Sequence, residues 1–269
     1  MPTLITTDAI VLNRRLWSES SQIVTLVAHD VGKLSVVARG ARKITSELGP
    51  ALEPITESQV VFSRSSRGNL AHVRSADIIE YFPGVKRSLV KVALASALCE
   101  LVDRAMPEDE PNEPLYGHVR TALLGMERAE DRLAVNWLWR AGYELAADLG
   151  YGMQFDRCVQ CGSLEAPHPY FSLAHGGPVC AACTAEGMQR WLPETQIALL
   201  RVRIAPLEKA ASDELFTRRI SKRINRDIRS LFDAYFRYHI PNFERLKWLD
   251  ILTSLPPPAP DDRGSAEIK

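Results

Sequence analysis

Four cysteines in two close pairs constrain this chain more tightly than any other feature of its sequence. Cys158-Val-Gln-Cys161 and Cys180-Ala-Ala-Cys183 are separated by 18 residues, giving the pattern C-x2-C-x18-C-x2-C. A two-residue gap lets both sulfurs of one turn face the same ion, and two such turns complete a tetrahedron. The spacing predicts one Zn2+ held by Cys158, Cys161, Cys180 and Cys183; the competing possibility, four ordinary buried cysteines, requires a coincidence of spacing. Four thiolates leave no open position for water, so the expected metal is structural rather than catalytic. Gly162 supplies backbone freedom just after the first pair. His168 and His175 lie between the pairs and could replace a cysteine, although four sulfurs need neither. Cys99 falls on an apolar helix face and reads as core filler.

Paired cysteines of this kind suit a reducing compartment, where disulfides do not persist. No window of the sequence approaches the apolar length that a bilayer crossing requires, and the N-terminus lacks the pattern of a secretory signal. A cytoplasmic protein with no membrane partner is therefore expected.

Hydrophobic periodicity divides the chain. From Thr6 to about Phe82 apolar residues come in short β-branched runs: AIVL at 9–12, IVTLV at 23–27, LSVVA at 34–38, VVF at 60–62 and VRSADII at 73–79. Turn formers lie between them, and a longer link runs from Gly40 to Pro54. Five strands at this spacing predict a small closed barrel of OB type over residues 1–82. After Pro83-Gly84 the period becomes helical, with Leu89, Val92, Ala93, Ser96, Leu98 and Leu101 expected inward. Further helices are expected at about 113–127 and 130–150, then from Pro193, over 212–240 behind an N-cap at Ser212, and over the FERLKWLDIL segment. The fold class is thus α+β: an OB barrel, then a helical domain over 84–153 and 193–252 interrupted by a zinc-finger insertion at 154–192. The Pro-rich end, 253–269, cannot form a core and is expected to be a disordered tail.

Formal net charge is zero, with 33 basic and 33 acidic side chains, so partner preference must be sought in local distribution. Residues 201–249 hold 12 basic against 6 acidic side chains, whereas residues 84–157 hold 9 against 12. On a helical wheel Arg218, Arg219, Lys222, Arg223, Arg226 and Arg229 occupy one arc of about 140°, opposite Ile220, Ile224, Ile228 and Leu231. Cations at this spacing repel one another unless acids interleave, and Asp227 is the sole acid among residues 218–229. Such a face calls for an anionic partner, either phosphate or an acidic peptide; the bland alternative is a solvated helix face. In the barrel region Lys33, Arg39, Arg42 and Lys43 fall in a window without an acid, and Arg14 and Arg15 end the first strand. OB barrels bind single strands across such surfaces. Trp17, in the loop after the first strand, is the large aromatic candidate for base stacking, with simple packing as the alternative. Sparse aromatics point to binding dominated by phosphate contacts, without sequence readout.

The sequence carries no phosphate-binding G-x-x-x-x-G-K-[ST], no dinucleotide G-x-G-x-x-G, no H-E-x-x-H, and no H-x-E ahead of the cysteines. Acid pairs such as Glu108 and Glu110 lie in a proline-broken linker, a poor place to hold metals for nuclease work. The expectation is a binding protein rather than an enzyme; a metalloenzyme and an iron–thiolate protein are the rival classes.

The stretch DAIVLNRRLWSESSQIVTLVAHDVGKLSVVARGARK resembles the opening of the RecO family, bacterial recombination mediators in which a VARGARK-like stretch follows a GKL strand. The order of parts is similar as well: barrel, helices, a CxxC…CxxC insertion, more helices, over roughly residues 4–250. What the resemblance implies is an OB-fold domain and a zinc-bearing helical domain that bind single- and double-stranded DNA and anneal complementary strands. It also implies RecR as a partner, contact with the acidic tail of single-stranded DNA-binding protein, and help in loading RecA onto coated strands. Some family members lack one or more of the cysteines; this chain has all four.

Overall fold

The computed structural model describes residues 3–64, 71–165, 167–186, 188–204, 219–247 and 250. Its first part is a closed five-stranded barrel: β1 (Thr3–Leu16), β2 (Gln22–Ala28), β3 (Gly32–Ala38), a one-turn helix α1 (Leu48–Ala51), β4 (Glu57–Arg64) and β5 (Ala71–Glu80). Strand order is β1-β2-β3-β5-β4, and β1 closes the barrel by pairing with both β2 and β4. The β3–β5 pair is parallel and the others are antiparallel, which is the topology of the OB-fold. The long β1 can serve two neighbours because its register shifts between Val11 and Asn13, a bulge that bends the strand.

Continuous apolar runs in β1 and β2 follow from burial on both faces. Ala9, Val11, Val24, Leu26 and Ala28 point into the barrel with Leu34, Val36, Val60 and Phe62. Ile10, Leu12 and Val27 point outward and join the core of the helical part. That core is built by α2 (Pro83–Lys86), α3 (Leu89–Ala105), α4 (Glu113–Arg128), α5 (Asp131–Asp148), α6 (Pro193–Ile204) and α7 (Lys222–His239). Ser88 and Asn112 cap α3 and α4, accepting from the backbone N–H of Lys91 and Leu115 at 3.3 and 3.0 Å.

Polar contacts fix the seam between barrel and helices. Glu57 of β4 is almost fully buried, and its Oε1 accepts from Tyr116 Oη and Arg120 Nε of α4, each at 2.7 Å. The segment after α3 runs along the part of β3 that β5 leaves unpaired. Asp109 N–H donates to the Lys33 carbonyl at 2.8 Å, Ser35 Oγ donates to Glu108 Oε1 at 3.1 Å, and Arg64 pairs with Asp109. Gly32 sits in this seam at φ +82, and a Cβ there would lie 2.0 Å from the Glu110 carbonyl oxygen.

Residues 154–192 contribute a three-stranded sheet, order β7-β6-β8, from β6 (Tyr170–Ser172), β7 (Gly177–Val179) and β8 (Gln189–Arg190). Phe155, Phe171 and Trp191 from this region share the helical core, with Phe171 packed edge-on against Tyr235 of α7.

Three expectations need correction. Leu89 is 74% exposed, and Val92 and Ser96 are only half-buried, because α3 lies between barrel and helices and buries most of its circumference, Lys91 included. The expected 212–240 helix is not continuous: α7 begins at Lys222, capped by Ser221, which accepts from Ile224 N–H at 3.3 Å, and Arg219 and Ile220 are non-helical. Ser212 lies outside the described residues. The last expected helix starts later than the FERLKWLDIL segment: Phe243–Leu246 is irregular, with Phe243 and Leu246 buried, and Lys247 and Asp250 are helical. The 253–269 segment also falls outside the described residues.

Gly32→Ala combines a left-handed backbone with a backbone clash, and is expected to lower the unfolding free energy by at least about 2 kcal/mol in a denaturant titration. A change below about 0.5 kcal/mol would show that the seam is not tightly packed.

Candidate metal site and nucleic-acid interface

Two short turns bring the cysteines together. Gly162 N–H donates to the Cys158 carbonyl at 2.9 Å and Cys158 N–H donates to the Ser163 carbonyl at 2.8 Å, closing the first turn, with Gly162 at φ +76. A 3-10 turn over Ala181–Cys183 forms the second. Sγ atoms of Cys158, Cys161, Cys180 and Cys183 all lie within 4.8 Å of one another, and those of Cys161 and Cys180 are 3.8 Å apart. Four thiolates around one Zn2+ at about 2.3 Å stand about 3.8 Å apart, so the donor set and its spacing fit such an ion.

The electrostatics of the cluster also favour a cation. Burial opposes ionisation of Cys158, but the backbone amides of Cys180, Cys161 and Gln160 outweigh it and hold the thiol at about 6; Cys180 N–H donates to its sulfur at 3.4 Å. Cys183 is pushed up to about 12 because its thiol hydrogen-bonds to Cys180 and Cys161. Without a cation, one thiolate forms readily and further negative charge is resisted. His168 is excluded as a ligand: it is buried, its Nε2 lies 3.1 Å from the Ser163 carbonyl, and its Nδ1 lies 3.3 Å from Gln196 Nε2. His175 faces Ser172 through Nδ1 at 3.0 Å. Cys99 is buried, and burial pushes its thiol up to about 12, which leaves it inert as a nucleophile.

The cations expected to meet an anionic partner fall into three groups. At the open end of the barrel Arg14, Arg15, Arg39, Arg42 and Lys43 are exposed, and none forms an ion pair with a described carboxylate. Arg42 also braces the backbone. Its Nη1 donates to the carbonyls of Ser18 at 3.1 Å and Glu19 at 2.6 Å, and its N–H donates to Ser20 O at 3.2 Å, fastening the β1–β2 loop to the loop after β3.

Lys33 is a correction. Its side chain is only 11% exposed, and its Nζ donates to the Asp103 carbonyl and pairs with the Asp103 carboxylate at 3.7 Å. It clamps β3 to α3 instead of facing solvent. Sequence reasoning groups it with Arg39 because both lie in the same acid-free window, but acids distant in sequence reach it through the seam.

On α7, Lys222, Arg223 and Arg226 are exposed together with Arg219 just before the helix. They sit at the positive end of the helix dipole with no acidic residue in the first turn, an arrangement that raises local positive potential. Asp227 forms no ion pair with them: its Oδ2 accepts from Leu192 N–H at 2.8 Å and Thr195 Oγ1 at 2.6 Å, at the start of α6. Those bonds bring exposed Arg190 of β8 toward the same end of α7, a cation that sequence reasoning misses because it is distant along the chain. Arg229 is a second correction, since its side chain is 12% exposed and pairs with Asp250. Arg218 lies outside the described residues.

Comparison with known proteins decides the family. A family model described as "Recombination protein O N terminal" matches residues 1–82, and one described as "Recombination protein O C terminal" matches residues 86–248. The chain belongs to the recombination protein O family. A "DNA repair protein RecO" from Pelotomaculum thermopropionicum is 32% identical over 97% of this chain and 98% of its own length. One of the same name from Exiguobacterium sibiricum is 35% identical over 64% of this chain and 68% of its own length, and one from Salinibacter ruber is 27% identical over 98% of each. Membership places the chain in DNA repair and recombination, and among the described residues no helix is long and apolar enough to cross a membrane.

Lys33→Ala empties a nearly buried site and leaves the Asp103 carbonyl and half-buried carboxylate without this partner, and is expected to cost about 1–3 kcal/mol of stability. Arg39→Ala, at an exposed unpaired site, is expected to change it by less than about 0.5 kcal/mol. Denaturant titrations of the two variants read the difference; equal effects would mean that Lys33 is as free as Arg39.

Proposed function

We propose that this protein is a non-enzymatic recombination mediator: it binds the backbones of single- and double-stranded DNA, anneals complementary strands, and helps load RecA onto strands coated by single-stranded DNA-binding protein. Two exposed groups of cations without carboxylate partners carry the reading: Arg14, Arg15, Arg39, Arg42 and Lys43 on the barrel, and Arg219, Lys222, Arg223 and Arg226 around the start of α7. Annealing needs no covalent step. Two polyanions approach when cations on one scaffold screen both, and base pairing supplies the rest. Family membership supports RecR and the acidic tail of single-stranded DNA-binding protein as protein partners.

An alternative gives the cations of α7 to that acidic tail and leaves DNA to the barrel, since either anion would complement Arg219, Lys222, Arg223 and Arg226. Arg14→Glu with Arg39→Glu separates the two readings, because it spares α7.

A single Zn2+ held by Cys158, Cys161, Cys180 and Cys183 would cross-link the two turns and stiffen the sheet that backs Phe171 and Trp191. It supplies no open coordination position and hence no catalytic role.

Affinity for a single strand is expected to fall with salt at a log–log slope of about −3 to −5, corresponding to roughly five to seven neutralised phosphates. A flat response would remove the electrostatic basis of the proposal. The Arg39→Glu/Lys43→Glu double variant, which spares the Arg42 brace, should lose annealing and keep its melting temperature nearly unchanged; full annealing would clear these barrel cations of the role. Metal analysis should return one zinc per chain from a colourless protein. Cys158→Ser should lose that zinc and melt at lower temperature, whereas unchanged melting without metal would show the site to be dispensable.

A further inference from the structure

At the open end of the barrel the chain exposes large apolar side chains beside its unpaired cations. Leu16 is 73%, Trp17 60% and Ile44 105% exposed. Exposed apolar groups are common singly, but a cluster on ordered loops points to a contact surface. These loops are ordered. Trp17 N–H and Ser18 N–H both donate to the Ser21 carbonyl at 3.2 Å, a tight turn that holds the indole outward. Beyond it, Lys43 N–H donates to the Gly40 carbonyl at 3.0 Å and Ser46 N–H to the Lys43 carbonyl at 2.9 Å. Arg42 ties the two loops together through the carbonyls of Ser18, Glu19 and Ser20, so Ile44 is carried on a segment fastened to the one that carries Trp17. Among the described residues Trp137, Trp139 and Trp191 are buried, and Trp17 stands apart as a solvent-facing indole.

The surroundings state what the indole meets. Arg14, Arg15, Arg39, Arg42 and Lys43 lie on the same two segments; Glu19 is the acid of the β1–β2 loop, and none occurs between Val31 and Ser46. An occupant must offer negative charge at regular intervals and flat apolar faces between the charges. A duplex presents the charges but hides the faces in its stack. An unpaired strand presents both, and each base stacked on an aromatic side chain adds affinity that salt does not screen.

We propose that Trp17, held outward on the β1–β2 loop, is a stacking platform for unpaired nucleobases and gives the barrel its preference for single strands over duplex. The inference rests on the nucleic-acid reading of the barrel cations and adds a contact to bases rather than phosphates.

The test compares the full-length protein with Trp17→Ala and Trp17→Phe, using oligo(dT), an abasic strand of equal length, and a duplex. Wild type should bind oligo(dT) more tightly than the abasic strand, with its tryptophan emission quenched on binding. Trp17→Ala should weaken oligo(dT) binding by roughly 5- to 100-fold, leave the abasic strand and the duplex within about twofold, and keep the same salt slope. Trp17→Phe should recover part of the loss, and neither variant should change the melting temperature appreciably. If Trp17→Ala keeps the wild-type preference for oligo(dT) over the abasic strand, the platform is wrong while the electrostatic reading stands. If wild type binds none of the three nucleic acids, both fall. Vesicles containing anionic phospholipid provide the remaining arm: a blue shift of Trp17 emission with vesicles, without quenching by oligo(dT), would overturn the inference in favour of a membrane surface.

Discussion

The structure depends on the outer face of β1 and β2 being apolar. Ile10, Leu12 and Val27 leave the barrel and enter the helical core, so the barrel cannot be solvated all round. Once that face is committed, Glu57 is buried at the seam, where Tyr116 and Arg120 both donate to its Oε1. Removing either donor would leave a buried carboxylate short of a partner, the kind of change that costs several kcal/mol. The seam therefore fixes which barrel surfaces stay available. The β3 edge is covered by the acidic segment after α3, and the end carrying the β1–β2 loop and the loop after β3 remains open.

Available charge follows from that geometry more than from composition. Lys33 and Arg64 are absorbed by Asp103 and Asp109, while Arg14, Arg15, Arg39 and Lys43 meet no such acids. On α7, Asp227 is bonded to the start of α6, and the first turn carries cations with no acid among them. Like charges in close array raise the free energy of the unbound protein, and an anion relieves that cost. Strand binding and annealing are proposals built on this imbalance, and they need no reacting group.

Much of the fold is legible in the sequence because local patterns suffice. β-branched runs separated by turn formers mark five strands, and a two-residue gap between cysteines marks the cluster, since both depend on near neighbours along the chain. Long-range partners are not legible. Lys33 reads like Arg39 until α3 arrives with Asp103, and Arg229 reads like Arg226 until Asp250 folds back on it. Leu89 fits the inward face of a one-faced helix, whereas α3 is packed on several sides and Leu89 itself, at its first position, is left exposed. An attractive N-cap at Ser212 misplaces the start of α7; Ser221 holds that position, accepting from Ile224 N–H. The family resemblance carries the rest, and two family models that together span nearly the whole chain support it.

The central claim is that nucleic acid occupies the open end of the barrel while the seam stays shut. Hydrogen–deuterium exchange of the full chain, with and without saturating oligo(dT), tests it most directly. The account predicts slowed exchange in residues 14–22 and 39–46, with the seam at 32–35 and 103–113 unchanged. Slowed exchange along 32–35 with faster exchange at 103–113, and none at the open end, would contradict it by showing that the strand displaces the acidic segment and binds the β3 edge instead.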